Sequence, residues 1–338
     1  MKNNQKLLAL ILGIFPLTVS ALHYEVTPLV SDLSNVASHT DPNLINSWGL
    51  FFVPNGNFWV ADNGSNLSTL YQPDGSIVNF VINVASATTG AKLNTSTFNF
   101  FIMKGANQAP AQFLFDTEEG KILGFNKSLD PTNAIVAVDN SSTGAVYKGL
   151  EITSNCCQNA FLFATDFHNA KIDVFNSAFN LAGIIKDFTI PSGYAPFNVR
   201  NLNGLLYVTY AKQKGPDNHD DDPGIGHGFV DVFTISGALK QRLISQGNLN
   251  SPWGLAIAPS NFGEFSGALL VGNFGDGKIN CYDPSSGQFL GQLADLTGSP
   301  IVIDGLWALE FSFNGTLYFS SGPNGENDGL VGTITPFP

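Results

Sequence analysis

The feature that most constrains this chain is a short phrase that returns. Asn46-Ser47-Trp48-Gly49-Leu50 comes back as Asn250-Ser251-Pro252-Trp253-Gly254-Leu255, and once more, altered, as Asp304-Gly305-Leu306-Trp307-Ala308-Leu309. Each copy runs into a short apolar stretch, then a Pro/Gly/Asn-rich turn, then a second apolar stretch: Phe58-Trp59-Val60-Ala61, Leu269-Leu270-Val271-Gly272 and Leu317-Tyr318-Phe319-Ser320. Lys148-Gly149-Leu150 and Phe197-Asn198-Val199 stand as weaker copies between them. The steps are 100 residues from Trp48 to Lys148, then 49 to Phe197, 56 to Trp253 and 54 to Trp307. A first step of double length implies a hidden copy, and Thr97-Phe98-Asn99-Phe100-Phe101 is the expected one. Six units of roughly 50 residues result, and a fixed period of this size marks a repeat architecture.

A second landmark lies inside each unit. Val60-Ala61-Asp62, Leu114-Phe115-Asp116, Phe163-Ala164-Thr165-Asp166 and Val271-Gly272-Asn273 end on a polar side chain. Gly120-Lys121-Ile122, Ala170-Lys171-Ile172 and Gly277-Lys278-Ile279 then open a third strand, and turns lead to a fourth. Four short antiparallel strands per unit, with no helical spacing, predict an all-β, six-bladed β-propeller. A blade cannot bury both faces alone, so stacking around an axis is what stabilises it. The last unit runs out of chain after three strands. Tyr24 to Val30, left over before the first blade, is therefore expected to complete blade six and lock the ring. Pro28 is tolerable there because the strand would lie at an edge.

Residues 1–21 read as a signal peptide, with Lys2 and Lys6 ahead of an apolar run from Leu7 to Val19. Val19-Ser20-Ala21 supplies the small residues for cleavage after Ala21, leaving residues 22–338 as one propeller domain. The expected location is periplasmic or extracellular, with no stable membrane insertion after cleavage, since the apolar run is shorter than a spanning helix. Only 12% of the 338 residues are charged and the net charge is −12. That balance argues against nucleic acid as a partner. It leaves protein, glycan or small-molecule ligands open. Three cysteines, Cys156, Cys157 and Cys281, exclude a fully paired framework. Cys281 reads as a buried strand thiol, and Cys156 and Cys157 as a vicinal pair of either redox state.

The blade pattern, apolar-Gly-apolar then Val-Ala-Asp then Gly-x-Ile, resembles NHL-repeat and gluconolactonase-like propellers. Longer strings resemble a family of uncharacterised secreted bacterial propellers. They are His39-Thr40-Asp41-Pro42-Asn43-Leu44, Trp59-Val60-Ala61-Asp62-Asn63-Gly64, Asn250 to Pro259, Val271-Gly272-Asn273-Phe274-Gly275-Asp276-Gly277 and Gly322-Pro323-Asn324-Gly325-Glu326. The first resemblance implies a divalent cation, Ca²⁺ by its oxygen ligands, held on the axis by Asn, Asp and Glu of the inner strands. Glu151, Asn198, Asn250 and Asp304 are the candidates, with Asn46 beside them. The glutamate that such enzymes present early in blade one has no counterpart, because Ser47 and Trp48 stand there. The other reading of Asn46 and Asn250 is a turn hydrogen bond.

Three further groups are candidates. Lys212 to Gly228 is the longest polar insertion, and its Asp217, Asp220 and Asp222 either stay solvated or collect a Ca²⁺. His39 and Asp41 form a loop clip or share a polar ligand. Trp48, Trp253 and Trp307 pack between blades, or stack on a ligand in the funnel. No nucleophile elbow, His-Glu-x-x-His, phosphate loop or Cys-x-x-Cys is present. The expected role is a binding scaffold outside the cytoplasm, with a metal-dependent hydrolase or lyase of the gluconolactonase-like type as the alternative.

Overall fold

The computed structural model of the protein describes residues 23–153 and 160–337. The expected signal segment and the Cys156–Cys157 pair lie outside the described residues. Six four-stranded antiparallel blades form the ring. Their innermost strands are Ser47–Phe52, Thr88–Leu93, Tyr147–Thr153, Tyr194–Leu202, Pro252–Ile257 and Leu306–Phe311. Strands near the axis are covered on both faces and read as continuous apolar runs. All five residues of Phe58–Asp62 are buried, whereas the outermost strand of the same blade, Ile77–Asn83, is largely open to solvent. Apolar clusters fill the seams between blades. Phe163 and Ile172 of blade three, for example, pack with Val199, Leu206 and Val208 of blade four.

The recurring glycine has a packing cause. A Cβ on Gly49 would lie 2.5 Å from Thr89 O of the next inner strand, and one on Gly90 would lie 2.5 Å from Leu150 N. Side-chain atoms cannot approach backbone so closely, so inner strands touch only where the side chain is missing.

Ring closure follows the expected route. His23–Ser31 pairs antiparallel with Leu330–Phe337, from His23 opposite Phe337 to Ser31 opposite Leu330. Pro28 stands at the register shift in that ladder, where a missing N–H is least costly. Tyr24 Oη donates to Phe262 O at 3.0 Å, pinning the closing strand to blade five.

Blade two differs from expectation. Its inner strand is Thr88–Leu93, not Thr97–Phe101. Residues Phe101–Lys104 and Asn107–Pro110 instead form an extra hairpin between the first and second strands of that blade. Phe100 is fully buried, in the apolar seam toward blade three, so its aromatic character serves packing away from the axis. Cys281 is a buried free thiol, as expected. Among the described residues no helix is long and apolar enough to cross a membrane.

Candidate functional site

The axis is filled by the first residues of the inner-strand phrase. The Trp48 and Trp307 rings stack with centroids 3.5 Å apart and planes 14° off parallel. Trp253 meets both edge-on, at 6.4 and 6.0 Å. Phe274 stacks on Trp307 at 4.0 Å. The three tryptophans are only 1%, 4% and 1% exposed, so they form a plug and offer no open ring face for a ligand. Behind them, a cavity of about 10 Å³ lined by Gly49, Gly90, Asn198 and Arg200 holds a single water at most.

Lys148 takes the axial position that tryptophan or phenylalanine takes in four other blades. It is 3% exposed. A buried ammonium needs paired charge, and the connections between second and third strands supply it. The short connection after Asp116 brings Glu118, whose Oε1 accepts from Lys148 Nζ. The long insertion of blade four brings Asp220, 3.6 Å from the same nitrogen. The Lys148 ring contact is Trp48, 5.4 Å from Nζ to the centroid. Trp253 Nε1 donates to Lys148 O at 2.8 Å, which fixes the backbone.

A hydrogen-bond chain ties this cluster to the plug. Trp307 Nε1 donates to Asn46 Oδ1 at 2.9 Å. Asn46 Nδ2 donates to Glu326 Oε2 at 2.7 Å and to Asn63 Oδ1 at 3.2 Å. Asn63 Nδ2 donates to Glu118 Oε2 at 2.9 Å. His219 Nδ1 lies 2.8 Å from Asp220 Oδ1. Glu326 sits at φ +68°, a backbone region that side-chain-bearing residues seldom occupy. Strain of that kind persists only where the surroundings enforce it.

The charges polarise one another. Burial works against the Glu118 carboxylate, yet Lys148 and Asn63 hold it below its ordinary value. Burial likewise disfavours the Lys148 ammonium, but Glu118, Asp220 and Asp221 raise it overall. The His219 hydrogen bond holds Asp220 down to about 2, and the same bond raises His219. Burial pushes Asp221 and Glu326 up. Oδ2 of Asp221 is buried without a partner. The mouth thus gathers four carboxylates and an imidazole around one ammonium. Glu118, His219 and Asp220 each present a ligand atom, all within 4.8 Å of one another, and among the described residues no other such group of three occurs.

The residues singled out from sequence divide sharply. Glu151, Asn198, Asn250 and Asp304 do not bond to one another. Glu151 faces Lys92 at 3.1 Å and Arg200 at 3.4 Å, in a charged belt that continues to Glu310, farther along the inner strands. Asn198 donates to Trp253 O at 2.9 Å, Asn250 accepts from Gly224 N at 2.7 Å, and the exposed Asp304 accepts from Asn324 N at 2.8 Å. Asn198, Asn250 and Asp304 thus serve strand and turn bonding, and Glu151 serves the charged belt. Of the loop set, only Asp220 reaches the mouth. Asp222 pairs with Lys212 at 2.6 Å, and Asp217 is exposed, its carbonyl oxygen 2.8 Å from His168 Nδ1. Asp41 is a clip: its two oxygens take Tyr71 Oη and Asn43 N. His39 lies in the two-residue strand beside Val30, and its imidazole makes no hydrogen bond with Asp41 among those described. The strand-ending Asp116 bonds Gly90 N and Thr89 Oγ1 of its own blade, a structural use. Glu118, Lys148, Asn63 and Glu326 were not singled out from sequence. The available signal was Lys148 itself, a charge standing where the repeat calls for an aromatic ring.

No protein-family model matches the chain. The uncharacterized protein L690 of Acanthamoeba polyphaga mimivirus is 34% identical over 330 residues, which is 92% of this chain and 85% of that one. The uncharacterized protein R648 of the same virus is 32% identical over 328 residues, 92% of this chain and 80% of the other. These relatives are viral, whereas the motif resemblance pointed to bacterial proteins. Among solved structures, a streptogramin B lyase superposes with a TM-score of 0.56 at 11% identity, over 94% of this chain and 98% of that chain. A glucose dehydrogenase superposes with a TM-score of 0.55 at 11% identity, over 91% and 98%. At these identities the likeness is one of fold.

Proposed function

We propose that this chain, which belongs to the family of the mimivirus proteins L690 and R648, is an exported binding propeller whose acidic mouth seats the cationic part of a ligand. The observation that carries the reading is the charge arrangement over a closed axis. Glu118, Asp220, Asp221 and Glu326 surround a single buried ammonium, Lys148. The tryptophan plug stops a ligand at the mouth, where low-dielectric walls focus the field of those carboxylates. An ammonium or guanidinium group of a peptide or an amino sugar matches that field. Calorimetric titration with a polyamine and with an Arg-rich peptide tests it. Binding that weakens on Glu326→Gln and falls with salt supports the reading, and equal affinity for acidic and basic probes defeats it.

A second reading, metal-assisted hydrolase or lyase chemistry, is favoured by one observation: the closeness of Glu118, His219 and Asp220. An imidazole with two carboxylates suits Mn²⁺ or Zn²⁺ better than the Ca²⁺ expected from oxygen ligands alone. Such an ion would lower the pKa of a bound water or polarise a carbonyl. Lys148 already neutralises the same carboxylates, so an ion must displace its ammonium. Melting curves with Mn²⁺, Zn²⁺, Ca²⁺ and chelator decide: no shift with any ion removes this reading and leaves the first intact.

A further inference from the structure

A second concavity lies on the same face, away from the axis, in the seam between blades three and four. It encloses about 290 Å³, near the lower limit of small-molecule sites. Ile185, Ile190, Pro191 and Pro196 give it apolar walls, and Phe188, 87% exposed, stands at its rim.

Its polar groups are unevenly committed. Lys171 is tied to Asp173 at 2.6 Å and to Asp166 at 3.3 Å. Asp187 is held by Arg242, which also bonds Asp231 at 3.0 Å. Gln213 Nε2 donates to Phe167 O at 2.6 Å. Tyr210 is different. It lines the cavity and is 3% exposed, yet among the described residues its hydroxyl has no hydrogen-bond partner. The hydroxyl oxygen is not among the fully buried, unpartnered polar atoms, so it stays open to the cavity as a donor free for a ligand acceptor. Lys186, exposed at the same wall, has no ion-pair partner among the described residues. The uncommitted groups are therefore donors, one neutral and facing the cavity, one charged and at the rim.

We propose that this cavity binds a small organic carboxylate with an apolar body. The carboxylate accepts from Tyr210 Oη and Lys186 Nζ, the body lies against Ile185, Ile190 and Pro191, and Phe188 covers it. The volume fits one ring or a short chain. This site does not depend on the axial mouth.

The test uses benzoate, phenylacetate and hexanoate as probes, with benzyl alcohol and benzylamine as matched controls, by saturation-transfer NMR and calorimetry on the purified protein. Carboxylates are expected to bind while the controls do not. Tyr210→Phe and Lys186→Ala are each expected to weaken binding about tenfold, and Lys214→Ala to leave it unchanged. Preference for benzylamine, or carboxylate binding untouched by both Tyr210→Phe and Lys186→Ala, overturns the assignment. So does an absence of binding by every carboxylate at millimolar concentration. The melting temperature of ligand-free Tyr210→Phe supplies an independent check. It should equal or exceed that of the parent, and a clear drop means the hydroxyl has an internal partner and the premise is lost.

Discussion

Replacing Lys148 by Met removes the one ammonium among the mouth carboxylates while keeping an unbranched side chain of similar length. Lys148 and Glu118 have side chains only 4% and 15% exposed, so their attraction is poorly screened. At contact distance and an effective dielectric near that of protein surfaces, such a pair is worth about 4 kcal/mol before desolvation. Removing one partner of a buried pair costs about 3–5 kcal/mol, because the survivor stays buried without compensation. We expect Lys148→Met to lose that amount at pH 7 by urea unfolding. The sign of the pH dependence follows. In the parent, Glu118 titrates below its ordinary value, so its stabilisation is present at neutral pH and is lost as pH falls. In the variant, the Lys148 attraction is gone and only the Asn63 hydrogen bond and nearby His219 oppose burial, the largest influence, so Glu118 rises and the folded state is penalised as pH rises through the carboxylate range. The gap between the two proteins should narrow steadily from pH 7 to pH 4. Adding Glu118→Gln to Lys148→Met should recover all but about 1 kcal/mol, since no bare carboxylate remains. A loss under about 1 kcal/mol, a gap that is flat with pH, or a double variant no better than the single one would refute this account of the mouth.

Trp307→Ala deletes the stack on Trp48 and Phe274 and the donor to Asn46, and should cost about 3–5 kcal/mol in urea. The Asp116 carboxyl is pushed up to about 7, by burial above all, so the folded state holds its proton more tightly than the unfolded chain. Stability should therefore fall between about pH 4 and pH 7, and Asp116→Asn should flatten that segment of the pH–urea midpoint profile. Gly90→Ala places a Cβ 2.5 Å from Leu150 N and should cost about 3 kcal/mol, measured by thermal and urea unfolding. Gly183→Ala meets nothing within 4 Å and should change stability by less than about 0.5 kcal/mol in the same assays.

The fold was legible because each blade must solve the same packing problem. Trp48, Trp253 and Trp307 recur since the axis has to be filled, and Gly49 and Gly254 recur since the neighbouring inner strand leaves no room for a Cβ. The stray Tyr24–Val30 segment was legible by subtraction, because a three-stranded last blade leaves an edge to cover. Blade two was misread because its axial position carries Thr89 and Gly90 in place of a large ring, while Phe98 and Phe100 imitate strand alternation nine residues later.

The mouth obeys the opposite logic. What every blade needs appears in every blade, whereas the axial asparagines, Asp304 and Glu151 were chosen by resemblance to propellers that hold a cation on the axis. The structure uses them for strand bonds and for the charged belt. A site that acts on one ligand has to break the symmetry of the ring, so its residues stand where a copy departs from its siblings. Lys148 replaces a ring, His219 and Asp220 ride on the long polar insertion of blade four, and Glu326 occupies a strained turn. Asn46 and Glu326 touch although 280 residues separate them, because the two ends of the chain share the closing seam. Spacing along a sequence carries no trace of such a contact. In a ring of repeats, the informative signal is a charged residue at a position whose five equivalents are uncharged, and at the axial position only Lys148 carries a charge.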